Sequence, residues 1–135
     1  MERTGSGQTV TGVISMIGTF LLGAVGYPAL ELCWRGRTHP AMGLCGGACL
    51  CGLKGIHKIC KNRPLWLVSL LGGGMITGIE YLTGRMVNRR YRIWDYRRQP
   101  LQFRGQICLG YSLAWCALSM VVLWGMRLGE KQQNE

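Results

Sequence analysis

Charge is missing from three long stretches of this 135-residue chain. None occurs over residues 10–30, over 107–126, or over 65–79 before Glu80. A bilayer core takes about 20 mostly apolar residues per helical crossing, so these stretches exclude a water-exposed fold. The hydrophobic fraction of 48% is ordinary for a soluble protein. The membrane reading therefore rests on how the apolar residues are bunched. Catalytic signatures are lacking as well: there is no G-x-x-x-x-G-K-[ST] phosphate loop, no G-x-S-x-G elbow and no H-E-x-x-H pair. Histidine is confined to His39 and His57, each beside a connection, and Ser112 has no evident base. These absences speak against an enzyme and against a bound cofactor. No small-residue cleavage site follows the first apolar run, which is also too long for a usual signal segment, so it reads as a retained helix.

What is abundant is positive charge. Sixteen Lys and Arg against six Asp and Glu give a formal net charge of +10. The cations fall between the apolar runs: Arg35 and Arg37, then Lys58, Lys61 and Arg63, then a series from Arg85 to Arg104. Connections beside an anionic membrane surface have this composition. No aromatic-interleaved RNA motif or zinc-finger spacing accompanies the charge, so a nucleic-acid partner is not expected. The seven cysteines are an odd number, mostly within apolar segments. Cys45, Cys49, Cys51, His57 and Cys60 lack the paired C-x-x-C spacing of structural zinc, and cysteine reads here as a small packable hydrophobe, with no metal expected.

The expected fold is all-α: a single transmembrane domain over 1–135, a compact bundle of about four helices near residues 9–34, 41–57, 64–86 and 105–128. Residues 41–53 are short for a spanning segment, and length alone admits a short crossing, a re-entrant segment or a shielded helix; a short crossing is the reading adopted. Gly43 with Gly47, and Gly74 with Gly78, are small-xxx-small pairs suited to close helix packing, within the bundle or in a homo-oligomer. Residues 87–104 read as a basic amphipathic connection on the headgroups, anchored by Trp94 and Tyr96.

Glu31 and Glu80 stand at the rims of apolar runs, where an ionised carboxylate needs a partner or water. With four crossings the first and third helices run parallel. Glu31, Glu80, Asp95 and Arg104 are then expected at one membrane face. Acids near helix C-termini oppose the helix dipole, and Arg35, Arg37, Arg85 and Arg104 are the candidate compensating cations. Positive-inside counting gives nine inner cations against seven outer ones with the N-terminus outside, and eight against eight if the second segment is re-entrant, which leaves orientation open.

The run Glu80-Tyr81-Leu82-Thr83-Gly84, then Trp94-Asp95-Tyr96, then Arg104-Gly105-Gln106-Ile107-Cys108, with Ser112 and Trp115 following, resembles the bacterial family called putative ABC-transporter type IV. Gly26, Tyr27 and Glu31 resemble its first-helix acid, whereas His39-Pro40-Ala41-Met42-Gly43 departs from its aromatic second segment. The resemblance implies a multi-spanning protein of the bacterial inner membrane and a transport component. A permease of this class requires a separate nucleotide-binding ATPase subunit, and so short a chain requires oligomerisation to enclose a path. Two rival readings are a non-transporting scaffold or accessory subunit, whose acid–arginine cluster locks helices, and a small proton-coupled exporter.

Overall fold

A computed structural model describes residues 3–135, with side chains from residue 7 onward apart from residue 8. Among the described residues there are four helices: α1 (Arg3–Arg35), α2 (Pro40–Ile59), α3 (Leu65–Val87) and α4 (Leu109–Gln133). Two short strands, β1 (Gln102–Phe103) and β2 (Ile107–Cys108), lie between α3 and α4. Thr9–Arg35, Leu65–Val87 and Leu109–Gln133 are long and apolar enough to cross a membrane. At 1.5 Å per residue, even the 23 residues of α3 exceed a hydrocarbon core of about 30 Å. The chain divides into two compact units, Met1–Cys51 and Gly52–Glu135, and the boundary falls inside α2.

In the first unit α1 runs unbroken through Pro28. It stops at Gly36, whose φ of +75° suits a helix C-terminus because glycine has no Cβ to clash there. The Gly36 N–H still donates to the Leu32 carbonyl, 3.0 Å away. The start of α2 explains the His39-Pro40 pair. Proline at the first helical position forfeits an N–H that would have had no partner. The His39 imidazole caps the next one, with Nδ1 accepting from the Ala41 N–H at 3.1 Å. Glycines then let α1 and α2 touch at backbone level. A Cβ on Gly23 would collide with the Gly46 carbonyl, one on Gly47 would lie 2.7 Å from the Phe20 ring, and one on Gly43 3.2 Å from the Ala24 carbonyl.

In the second unit α3 packs on α4 through one face, on which Val68, Gly72, Ile76, Glu80 and Gly84 recur every fourth residue, with Ser69 and Gly73 beside them. Gly72 and Gly73 make the close approach: a Cβ on Gly72 would lie 2.9 Å from Ser119 Oγ, and one on Gly73 2.8 Å from the Cys116 Cα. Gly74 and Gly78, on the other side of the helix, face open space. Leu123 and Ser119 of α4 are fully buried. Outside this seam large apolar side chains are bare, among them Trp66, Leu70, Leu82, Leu113, Val121 and Trp124. Exposed apolar surface on that scale fits lipid, not water.

The end of α4 nearest the strands differs from the expected start at residue 105. Residues 102–108 form a tight antiparallel hairpin, pairing Gln102 with Cys108 and Phe103 with Ile107. Arg104 and Gly105 take φ of +52° and +67°, the left-handed conformation of a hairpin turn. The helix begins only after the extended Cys108, and the Leu109 N–H donates to the Leu101 carbonyl at 3.2 Å.

Candidate functional site

The connection from α3 to α4 is a folded cap built on Asn88, the residue that ends α3. Its N–H closes the helix on the Gly84 carbonyl at 2.9 Å. Its side chain is used from both ends. Nδ2 donates to the Trp94 carbonyl at 2.7 Å and to Gln106 Oε1 at 3.1 Å, while Oδ1 accepts the Ile93 N–H at 2.8 Å. Gln106 returns a bond from Nε2 to the Asn88 carbonyl at 3.0 Å, and the Trp94 indole donates to the Gln106 carbonyl at 2.9 Å. Asn88 is 1% exposed and Gln106 2%, so these bonds replace water and are costly to leave unmade. Gly84 makes room, since a Cβ there would strike the Gln106 amide and lie 3.0 Å from the Trp94 ring.

Trp94 and Tyr96 therefore do not float on headgroups as expected from their type. Both are buried, at 4% and 3% exposure, because each has a polar atom with an internal partner. The Tyr96 hydroxyl donates to Glu80 Oε2 at 3.2 Å. Its ring stacks on Tyr111 with centroids 4.7 Å apart, and Tyr111 leans on Trp115 at 6.4 Å. Glu80, 6% exposed, thus sits on a spanning helix beside an aromatic group of three rings. One turn deeper, the hydroxyls of Thr77 and Ser112 hydrogen-bond across α3 and α4 at 3.0 Å.

The other candidate residues lie apart from Glu80 in their bonding. Asp95 pairs with Arg97: guanidinium Nη2 and Nε lie 2.8 and 2.9 Å from its oxygens, and the Arg97 N–H donates at 3.0 Å. The side-chain bond from Arg97, reinforced by that backbone bond, holds the Asp95 carboxyl down at about 2, and Asp95 in turn raises Arg97. Arg97 also lies over the Tyr91 ring at 4.2 Å. Arg104 occupies the hairpin turn, its guanidinium 5.4 Å over the Phe103 ring, and its carbonyl accepts the Tyr91 hydroxyl at 3.0 Å. Glu31 belongs to the first unit, where it is 7% exposed and Oε2 accepts the Thr38 hydroxyl at 2.9 Å. Neither Asn88 nor Gln106 stands out by residue type, though an asparagine just past an apolar run is a helix-stop signal.

A folded cap on two apolar spanning helices, with a third spanning helix ahead of them in the chain, defines an α-helical membrane protein. The family model described as putative ABC-transporter type IV matches residues 31–129. The chain belongs to that family, and the match takes in Glu31, Glu80 and the whole cap. Neither the curated proteins nor the solved structures contain a match.

Proposed function

We propose that this chain is a non-catalytic transport component of the bacterial inner membrane. In this reading it has four crossings, with α2 as the short one. It acts as a homo-oligomer together with a separate nucleotide-binding ATPase subunit. Glu80 is the polar centre of the solute path. The cap residues Trp94, Asp95, Tyr96 and Arg104 form the mouth above it. The observation that carries the reading is the Glu80 side chain on a spanning helix, held by the Tyr96 hydroxyl at 3.2 Å, with the Tyr96 ring stacked on Tyr111 and Tyr111 in turn against Trp115. An acid in a membrane segment is expensive and marks solute or proton paths more often than inert packing. Membership in a family described by transport supports the same reading.

The rigid cap favours one rival, a scaffold or accessory subunit that uses the 88–108 surface to dock a partner. The two separate in one experiment. The tagged chain is purified from its native membrane in mild detergent, assayed for co-purifying ATP hydrolysis, and reconstituted with what co-purifies into vesicles holding a pH-sensitive dye. The transport reading expects an ATPase subunit to accompany the chain and ATP to drive a flux that Glu80→Gln abolishes while thermal unfolding is nearly unchanged. The scaffold reading expects no flux, and a loss of stability in Glu80→Ala that Glu80→Gln largely escapes, because the glutamine carbonyl still accepts the Tyr96 hydroxyl.

A further inference from the structure

At the opposite end of the second unit, the turn between α2 and α3 carries positive charge that the fold leaves unused. Lys58, Lys61 and Arg63, with Ile59 and Asn62, line an open cleft of about 540 Å³. The acid that reaches this group is Glu130 of α4, and it is already engaged, 2.9 Å from Lys61 and 3.3 Å from His57. Among the described residues neither Lys58 nor Arg63 has a carboxylate at ion-pair distance. Arg127 adds a fourth cation and fixes the turn, its Nη2 donating to the Arg63 carbonyl at 2.7 Å. The turn joins the negative end of one helix to the positive end of the next. The helix dipoles largely offset there, and the side-chain charges decide the local field.

Two apolar side chains say where this cleft lies. Ile59, in its lining, is 86% exposed, and Trp66, in the first turn of α3, is 60% exposed. A spanning helix begins at Leu65, so the cleft stands at the membrane boundary, beside two apolar side chains that the fold leaves exposed. We propose that this cleft binds the phosphate of an anionic phospholipid, Lys58 and Arg63 meeting the phosphate and Ile59 and Trp66 meeting the chains below it. The inference is independent of any transport role. A free phosphate would satisfy the same cations but gain nothing from the apolar rim.

The test uses the full chain in detergent and native mass spectrometry, titrating phosphatidylglycerol or phosphatidylcholine. The wild type is expected to retain phosphatidylglycerol in preference to phosphatidylcholine. A Lys58→Gln, Arg63→Gln double variant is expected to lose about thirtyfold in that affinity, roughly fivefold for each cation at a membrane surface. Both side chains are exposed, so thermal unfolding should not move, and Lys58→Glu alone should weaken binding further than Lys58→Gln. A control pair at the other end of the unit, Arg90→Gln with Arg92→Gln, should leave the affinity unchanged. Equal retention of both lipids, or an equal loss in the control pair, overturns the site. Displacement of phosphatidylglycerol by millimolar inorganic phosphate overturns the lipid and makes free phosphate the ligand.

Discussion

Removing the Asn88 side chain would strip the Trp94 carbonyl, the Gln106 amide oxygen and the Ile93 N–H of their partner at once. The first two lie where water has little access, and the cost of orphaning buried polar groups is of order 1–3 kcal/mol each. Asn88→Ala is accordingly expected to destabilise the second unit by about 3 kcal/mol, which chemical denaturation in detergent would read as a lower midpoint. An unchanged midpoint would mean the network adds nothing. Asp95 makes the opposite case, an exposed pair whose signature is read most directly in its titration. Its carboxyl is held at about 2 against an ordinary 3.8 by the Arg97 guanidinium. A depressed carboxyl contributes stability that is fully present above the ordinary value and is lost as pH falls toward 2. The carboxyl carbon resonance should therefore titrate near 2 in the wild type and move up toward its ordinary value in Arg97→Gln, which keeps only the backbone bond, with no change in behaviour above about pH 5 in either. A wild-type midpoint near 4 would dissolve the pair.

Elements sort by what their glycines touch. Gly84 is occupied on its open side by Gln106 and Trp94, while Gly78 on the same helix faces empty space. Gly84→Ala should cost about 1–3 kcal/mol through overpacking. Gly78→Ala should gain up to about 1 kcal/mol through helix propensity. Thermal unfolding of the two variants side by side checks the sign, and a loss at Gly78 would reveal a neighbour beyond this chain. The spanning elements α1, α3 and α4 were legible in the residues because a charge-free run of 15 to 21 positions fits a bilayer far better than a water-facing helix. The hairpin was not. Arg104-Gly105 reads equally well as the start of a glycine-led helix, and only the pairing of Phe103 with Ile107 decides between them. Trp94 and Tyr96 misled for a related reason. A ring with one polar atom suits a headgroup belt and a buried hydrogen bond alike, and the choice depends on Gln106 and Glu80, 12 and 16 residues away. Glu80 itself was legible as a site because an acid beside an apolar run is conspicuous whatever it bonds to.

For the whole molecule, three helices of spanning length make extraction behaviour the first check. The chain should remain with membranes through a carbonate wash and leave them only in detergent. Recovery in the supernatant would end the membrane reading. The crossing of α2 is open to a cysteine test, because Cys33 precedes it and is exposed, and Cys60 follows it and is partly exposed. If α2 crosses, an impermeant maleimide added to sealed vesicles should reach one of the two and spare the other until the membrane is permeabilised. Labelling of both from one side would make α2 a segment that enters and returns.

The bond between Asn88 and Gln106 spans 18 positions of chain, which carries a consequence for biogenesis. During synthesis α3 is complete well before Gln106 exists, so Asn88 and Trp94 must wait in water or in the insertion machinery without that partner. A third helix released alone would carry an unfinished end, and α3 and α4 are better suited to enter the bilayer together as a hairpin whose last act is to close its own lid.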